Sequence, residues 1–100
     1  MFGTIGHARA KSGHDGELRA MLEEWKTSIR PKVPGTFIEL SGHRESDPES
    51  IVFVALAQDE QAYRNLADLP EQDAFYRRML EHLEAEPTWE DVEMDVVVPQ

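Results

Sequence analysis

Cysteine is absent from the 100 residues, which excludes disulfides, thiolate metal sites, iron–sulfur clusters and a cysteine nucleophile together. Positive charge is scarce. Ten Lys and Arg face twenty Asp and Glu, leaving a net charge of −10 with the histidines neutral. So acidic a chain repels phosphate backbones and anionic headgroups, so neither nucleic acid nor a membrane is an expected partner. Long hydrophobic runs are also missing: the longest, residues 51–57, is far short of the ~20 residues a spanning helix needs. The opening Met1-Phe2-Gly3-Thr4-Ile5-Gly6 has no basic segment followed by a long apolar one, and lipidation patterns are absent. A cytoplasmic protein is the expectation. What is present, 40% hydrophobic residues including eight aromatics, suits an ordinary globular domain. The length suits one domain with one core, spanning residues 1–100.

Turn chemistry and hydrophobic periodicity divide the chain. Residues 2–11 read as a strand, and Ser12-Gly13-His14-Asp15-Gly16 as a turn with a capping residue. Over residues 16–30, Leu18, Met21, Leu22, Trp25 and Ile29 recur at three- and four-residue steps, which predicts an amphipathic helix ended by Pro31. Pro34-Gly35 turns the chain into a second strand over 36–41, and 43–50 reads as a polar connection turning at Asp47-Pro48. Residues 51–57 form a third strand with no polar alternation. A helical region from Asp59 is interrupted at Pro70, and Val92, Met94, Val96 and Val98 alternate in a last strand.

The order β-α-β-β-α-β is the ferredoxin-like arrangement: an α+β fold whose antiparallel sheet runs 4-1-3-2 with the helices on one face. Those helices cover one side of the sheet, yet the third strand is apolar on both, with Val52, Val54 and Leu56 on one face and Ile51, Phe53 and Ala55 on the other. A second copy of the same sheet would cover the remainder, so a homodimer with facing sheets is expected.

With that plan in view, the chain resembles the antibiotic-biosynthesis-monooxygenase-like members of the dimeric α+β barrel superfamily. The resemblance lies in the exit Lys11-Ser12-Gly13, in the passage Arg30-Pro31-Lys32-Val33-Pro34-Gly35-Thr36-Phe37, and in the acidic step Ala57-Gln58-Asp59-Glu60-Gln61-Ala62-Tyr63-Arg64-Asn65-Leu66. It covers nearly the whole chain and specifies fold more than chemistry. It implies a dimeric α+β barrel. Some relatives are cofactor-independent oxygenases of aromatic polyketides, some degrade haem, and many have no assigned activity. Haem degraders use an Asn on the first strand, a Trp after the third and a His on the second helix. Here the first strand has no Asn, Trp25 and Trp89 lie elsewhere, and Asn65 fills the helix position. Haem degradation is therefore set aside, and no cofactor is expected.

In a cofactor-free oxygenase, a base deprotonates the substrate and hydrogen-bond donors hold the developing oxyanion. His7, between Gly6 and Ala8 on a central strand, is the candidate base, with Asn65, Tyr63 and Arg77 as orienting groups. A half-buried histidine bonded across the dimer is the plainer reading of His7. Trp25, Phe75 and Tyr76 are candidates for stacking on a flat aromatic ligand, although helical spacing also fits them for the core. No metal site is expected: no His pair has helix-face spacing, and His43 with Glu45 gives too few ligands. His14 reads as a turn residue beside a helix cap, and His82 as surface. Two functions follow. One is a cofactor-independent monooxygenase acting on a small aromatic or polyketide-like molecule; the other is a non-catalytic ligand-binding or stress-associated dimer.

Overall fold

The computed structural model describes residues 1–99. Four antiparallel strands, β1 (Phe2–Arg9), β2 (Phe37–Arg44), β3 (Asp47–Ala57) and β4 (Thr88–Glu93), form one sheet in the order β2-β3-β1-β4. This is the expected 4-1-3-2 order read from the other edge. Three helices, α1 (Asp15–Ser28), α2 (Glu60–Ala67) and α3 (Pro70–Leu80), pack on one side, with a short 3-10 turn at Arg30–Lys32 after α1.

Each boundary has a local cause. Asp59 caps α2 by accepting from the Ala62 amide at 2.8 Å, and Pro70 opens α3 where its missing N–H costs nothing. Gly35 has φ of +80°, a left-handed conformation that glycine adopts without strain. The turn between β2 and β3 is tighter than the sequence suggested. β2 continues to Arg44 and β3 begins at Asp47, leaving only residues 45 and 46 between them, so Asp47-Pro48 is strand and not turn. Ion pairs from Arg9 on β1 to Asp47 and Glu49 tie this end of β3 to the neighbouring strand. The last strand is shorter than the alternation predicted. It stops at Glu93, opposite Phe2 at the start of β1, and Met94 makes a final backbone bond to Met1. Val96 and Val98 lie beyond the end of β4, outside any strand.

Strand alternation divides the sheet into two surfaces. Towards the helices, Phe53 of β3 joins Met21, Trp25, Ile29, Val33, Leu66, Phe75, Met79 and Leu83 in the buried core. On the other side the register lines up Ile38, Leu56, Gly3 and Val92 in one row and Leu40, Val54, Ile5 and Glu90 in the next. Leu40 is 61% exposed there. The two-sided character of β3 read from residues 51–57 is thus present in the fold, with one side packed and the other open.

Candidate functional site

A cavity of about 500 Å³ lies between the sheet and the helices, within the range of small-molecule sites. Alternation along the strands decides what reaches it. Thr4 of β1, Phe37 and Glu39 of β2, Phe53 and Ala55 of β3, and Trp89 of β4 all face inward. The helices supply Leu22 and Trp25 from α1, Tyr63 and Leu66 from α2, and Gln72, Asp73, Phe75, Tyr76 and Met79 from α3. Most of this lining is aromatic or aliphatic, with a few polar groups placed among it.

Those polar groups are held by specific bonds. Trp25 Nε1 donates to Gln72 Oε1 at 2.8 Å, joining α1 to α3 across the cavity wall. Trp89 Nε1 donates to the Tyr76 hydroxyl at 3.4 Å, and the Trp89 ring stacks on Phe53 with centroids 6.2 Å apart. Gly6 makes room for that ring, because a methyl group there would run into it. The Tyr63 ring meets Phe2 edge-on at 5.4 Å. Burial, then the nearby Asp91 carboxylate, raises the Tyr63 pKa and keeps its hydroxyl protonated.

Glu39 differs from the other polar groups. It lines the cavity and is exposed, yet the protein packed around it raises the carboxyl pKa by desolvation alone. No neighbouring cation offsets this among the described residues. A carboxylate held in that way is a stronger proton acceptor than a free one.

Four of the seven residues singled out from the sequence, Tyr63, Trp25, Phe75 and Tyr76, meet in this cavity. The other three lie outside it. His7 is exposed on the opposite face of the sheet, between Val52 and Thr88 in the register, so its imidazole is separated from the cavity by the sheet itself. Asn65 is exposed on α2, its Oδ1 accepting from Gln61 Nε2 at 2.9 Å, beside a separate crevice of about 50 Å³. Arg77 points to solvent and donates through Nε to Asp73 Oδ2 at 3.0 Å. It therefore acts on the cavity only through Asp73.

Sequence reasoning passed over Glu39, Thr4, Trp89 and Gln72. For Glu39 a signal existed: it shares strand parity with Phe37 and so had to face the helices with it. His14 and His82, 68 residues apart, approach with Nδ1 atoms 3.0 Å apart. Among the described residues no three His, Cys, Asp or Glu side chains gather as a metal site. No helix among them is long and apolar enough to cross a membrane.

Neither a family model nor a curated protein matches the sequence. Solved structures do match in shape. A candidate antibiotic biosynthesis monooxygenase from Deinococcus radiodurans superposes with a TM-score of 0.77 at 19% identity, over 100% of this chain and 98% of that one. A candidate of the same name from Caulobacter crescentus gives 0.80 at 10% identity, over 94% and 89%. A conserved protein from Methanosarcina mazei gives 0.81 at 12% identity, over 94% and 92%. At such identities the likeness is one of fold.

Proposed function

We propose that this chain is a cofactor-independent monooxygenase of the antibiotic-biosynthesis type, acting on a small, flat aromatic or polyketide-like molecule in the cavity between sheet and helices. The observation that carries this reading is the aromatic-lined cavity of about 500 Å³ with the carboxylate of Glu39, which has no cation beside it, on its wall. The likeness of fold to proteins named for this activity supports it.

In this mechanism Glu39 removes a proton from an activated CH₂ of the substrate. The electron pair left on carbon reduces O₂, forming a C–O bond and a hydroperoxide. Loss of water from that hydroperoxide leaves a carbonyl, so one O₂ is consumed and one water released. The Tyr76 oxygen accepts from Trp89, which leaves its own O–H free to donate to the developing oxyanion. Tyr63, Trp25 and Phe75 form walls against which a flat ring packs. The working unit is a homodimer joined through the open sheet faces, where Ile38, Leu40, Val54 and Ile5 otherwise meet water.

Oxygen consumption with hydroxyanthrone-type substrates tests the reading. Glu39→Gln should lower kcat by about 10²–10⁴, and Tyr76→Phe by about 10²–10³ if it is the oxyanion donor. Binding without oxygen uptake would instead fit a ligand-binding dimer, and unaltered turnover in Glu39→Gln would remove Glu39 as the base.

A further inference from the structure

The charges around the cavity are of one sign. Glu39 and Asp73 line it, and no Lys, Arg or His does. Two guanidinium groups stand over lining rings, Arg30 over Phe37 at 5.8 Å and Arg64 over Tyr63 at 5.6 Å, and both are bonded to other partners. Arg77 is bound to Asp73 on the solvent side. Arg30 donates to the carbonyls of Val33 and Gly35 at 2.7 and 3.2 Å. Arg64 pairs with Glu60 at 3.3 Å and lies 3.8 Å from Asp91. Of the two lining carboxylates, Asp73 is balanced by Arg77, and Glu39 has no counter-ion.

An anion entering this cavity gives up hydration beside a carboxylate that has already lost part of its own. Nothing there repays the loss, and like charges in a partly desolvated space repel strongly. A neutral ring meets no such penalty. An ammonium group gains twice, from Glu39 as counter-ion and from the electron-rich rings of Trp25 and Trp89 on the cavity wall. We propose that the cavity selects its ligand by charge, taking neutral or amine-bearing flat aromatic molecules and refusing carboxylates, with Glu39 as the selecting residue. This rests on the reading of the cavity as a ligand site but not on the oxygenation step. If the substrate of that step is acidic, it therefore enters protonated and is ionised inside.

Isothermal titration with three probes of equal size tests the inference: 2-naphthylmethanol, 2-naphthylmethylamine as its ammonium ion, and 2-naphthoate. The amine should bind tightest and the alcohol next, with the carboxylate weaker than the alcohol by about tenfold or more. In Glu39→Gln the amine should lose and the carboxylate gain affinity relative to the alcohol, which serves as the reference for any general change in binding, so that the ratio of amine to carboxylate affinity falls by about tenfold or more. A carboxylate that binds wild type as tightly as the alcohol overturns the proposal. So does an order of affinities that Glu39→Gln leaves unchanged, or a cavity that binds none of the three. The expected order without oxygen uptake leaves this inference standing and removes the proposed reaction. Oxygen uptake without the charge order does the reverse.

Discussion

Glu39 and Asp47 show how two carboxylates of one chain acquire opposite pH behaviour. The Arg9 guanidinium bonds to Asp47 and holds its pKa down, so the stability from this pair is present above the ordinary aspartate range and fades as pH falls through the lowered value. Glu39 is raised by desolvation. The folded state then binds a proton more readily than the unfolded chain, and stability falls as pH rises from the ordinary glutamate range through the raised value. Glu39→Gln should remove that second slope. In urea titrations the variant should match wild type below the glutamate range and exceed it at neutral pH, by no more than about 0.5 kcal/mol after solvent screening. Equal stability of the two proteins at every pH would mean that Glu39 is not desolvated. None of this was legible from composition, where Glu39 is one of twenty acidic residues. Parity with Phe37 placed it on the inner face, but its lack of a counter-ion depends on where Arg30, Arg64 and Arg77 turn, and that is a tertiary fact.

At the level of elements, the helical stripe through Leu18, Met21, Leu22, Trp25 and Ile29 and the uninterrupted apolar strand were readable because burial on a helix or sheet face imposes a period. The errors fall where pairing partners decide. β4 ends where its pairing with the start of β1 ends, and β3 starts early because Arg9 holds Asp47 and Glu49 beside it. The face of His7 stayed open for a related reason: the apolar run indicates a strand with two buried faces, but nothing in β1 says which of them looks at the helices, and the fold puts His7 on the open one. Caps are local but do not all form: α1 has His14 at its N-cap with no side-chain bond, where Ser12-Gly13-His14-Asp15 offered a capping residue, whereas α2 is capped by Asp59. Asp59→Ala removes the side-chain acceptor for the Ala62 amide and should cost about 1 kcal/mol in chemical denaturation. Because α2 carries Tyr63 and Leu66 into the cavity wall, the same substitution should also weaken ligand binding, which an exposed alanine substitution at Gln61 should not.

For the whole molecule, the open sheet surface sets the expected assembly. Val54 lies in its middle, with Leu40 on one side and Ile5 on the other. A glutamate there would place two like charges in a face-to-face dimer without touching the core side of β3. Val54→Glu should therefore sediment as a folded monomer where wild type sediments as a dimer, and a monomeric wild type at micromolar concentration would remove the dimer from the account. The inner and outer side chains of residues 51–57 also separate two properties along a single stretch of backbone. Odd positions line the core and cavity, while even positions lie on the open sheet face. A saturation library through this segment should accordingly show a sawtooth of period two, with ligand recognition and self-association failing at alternate codons. Each trait could then drift under selection without dragging the other along.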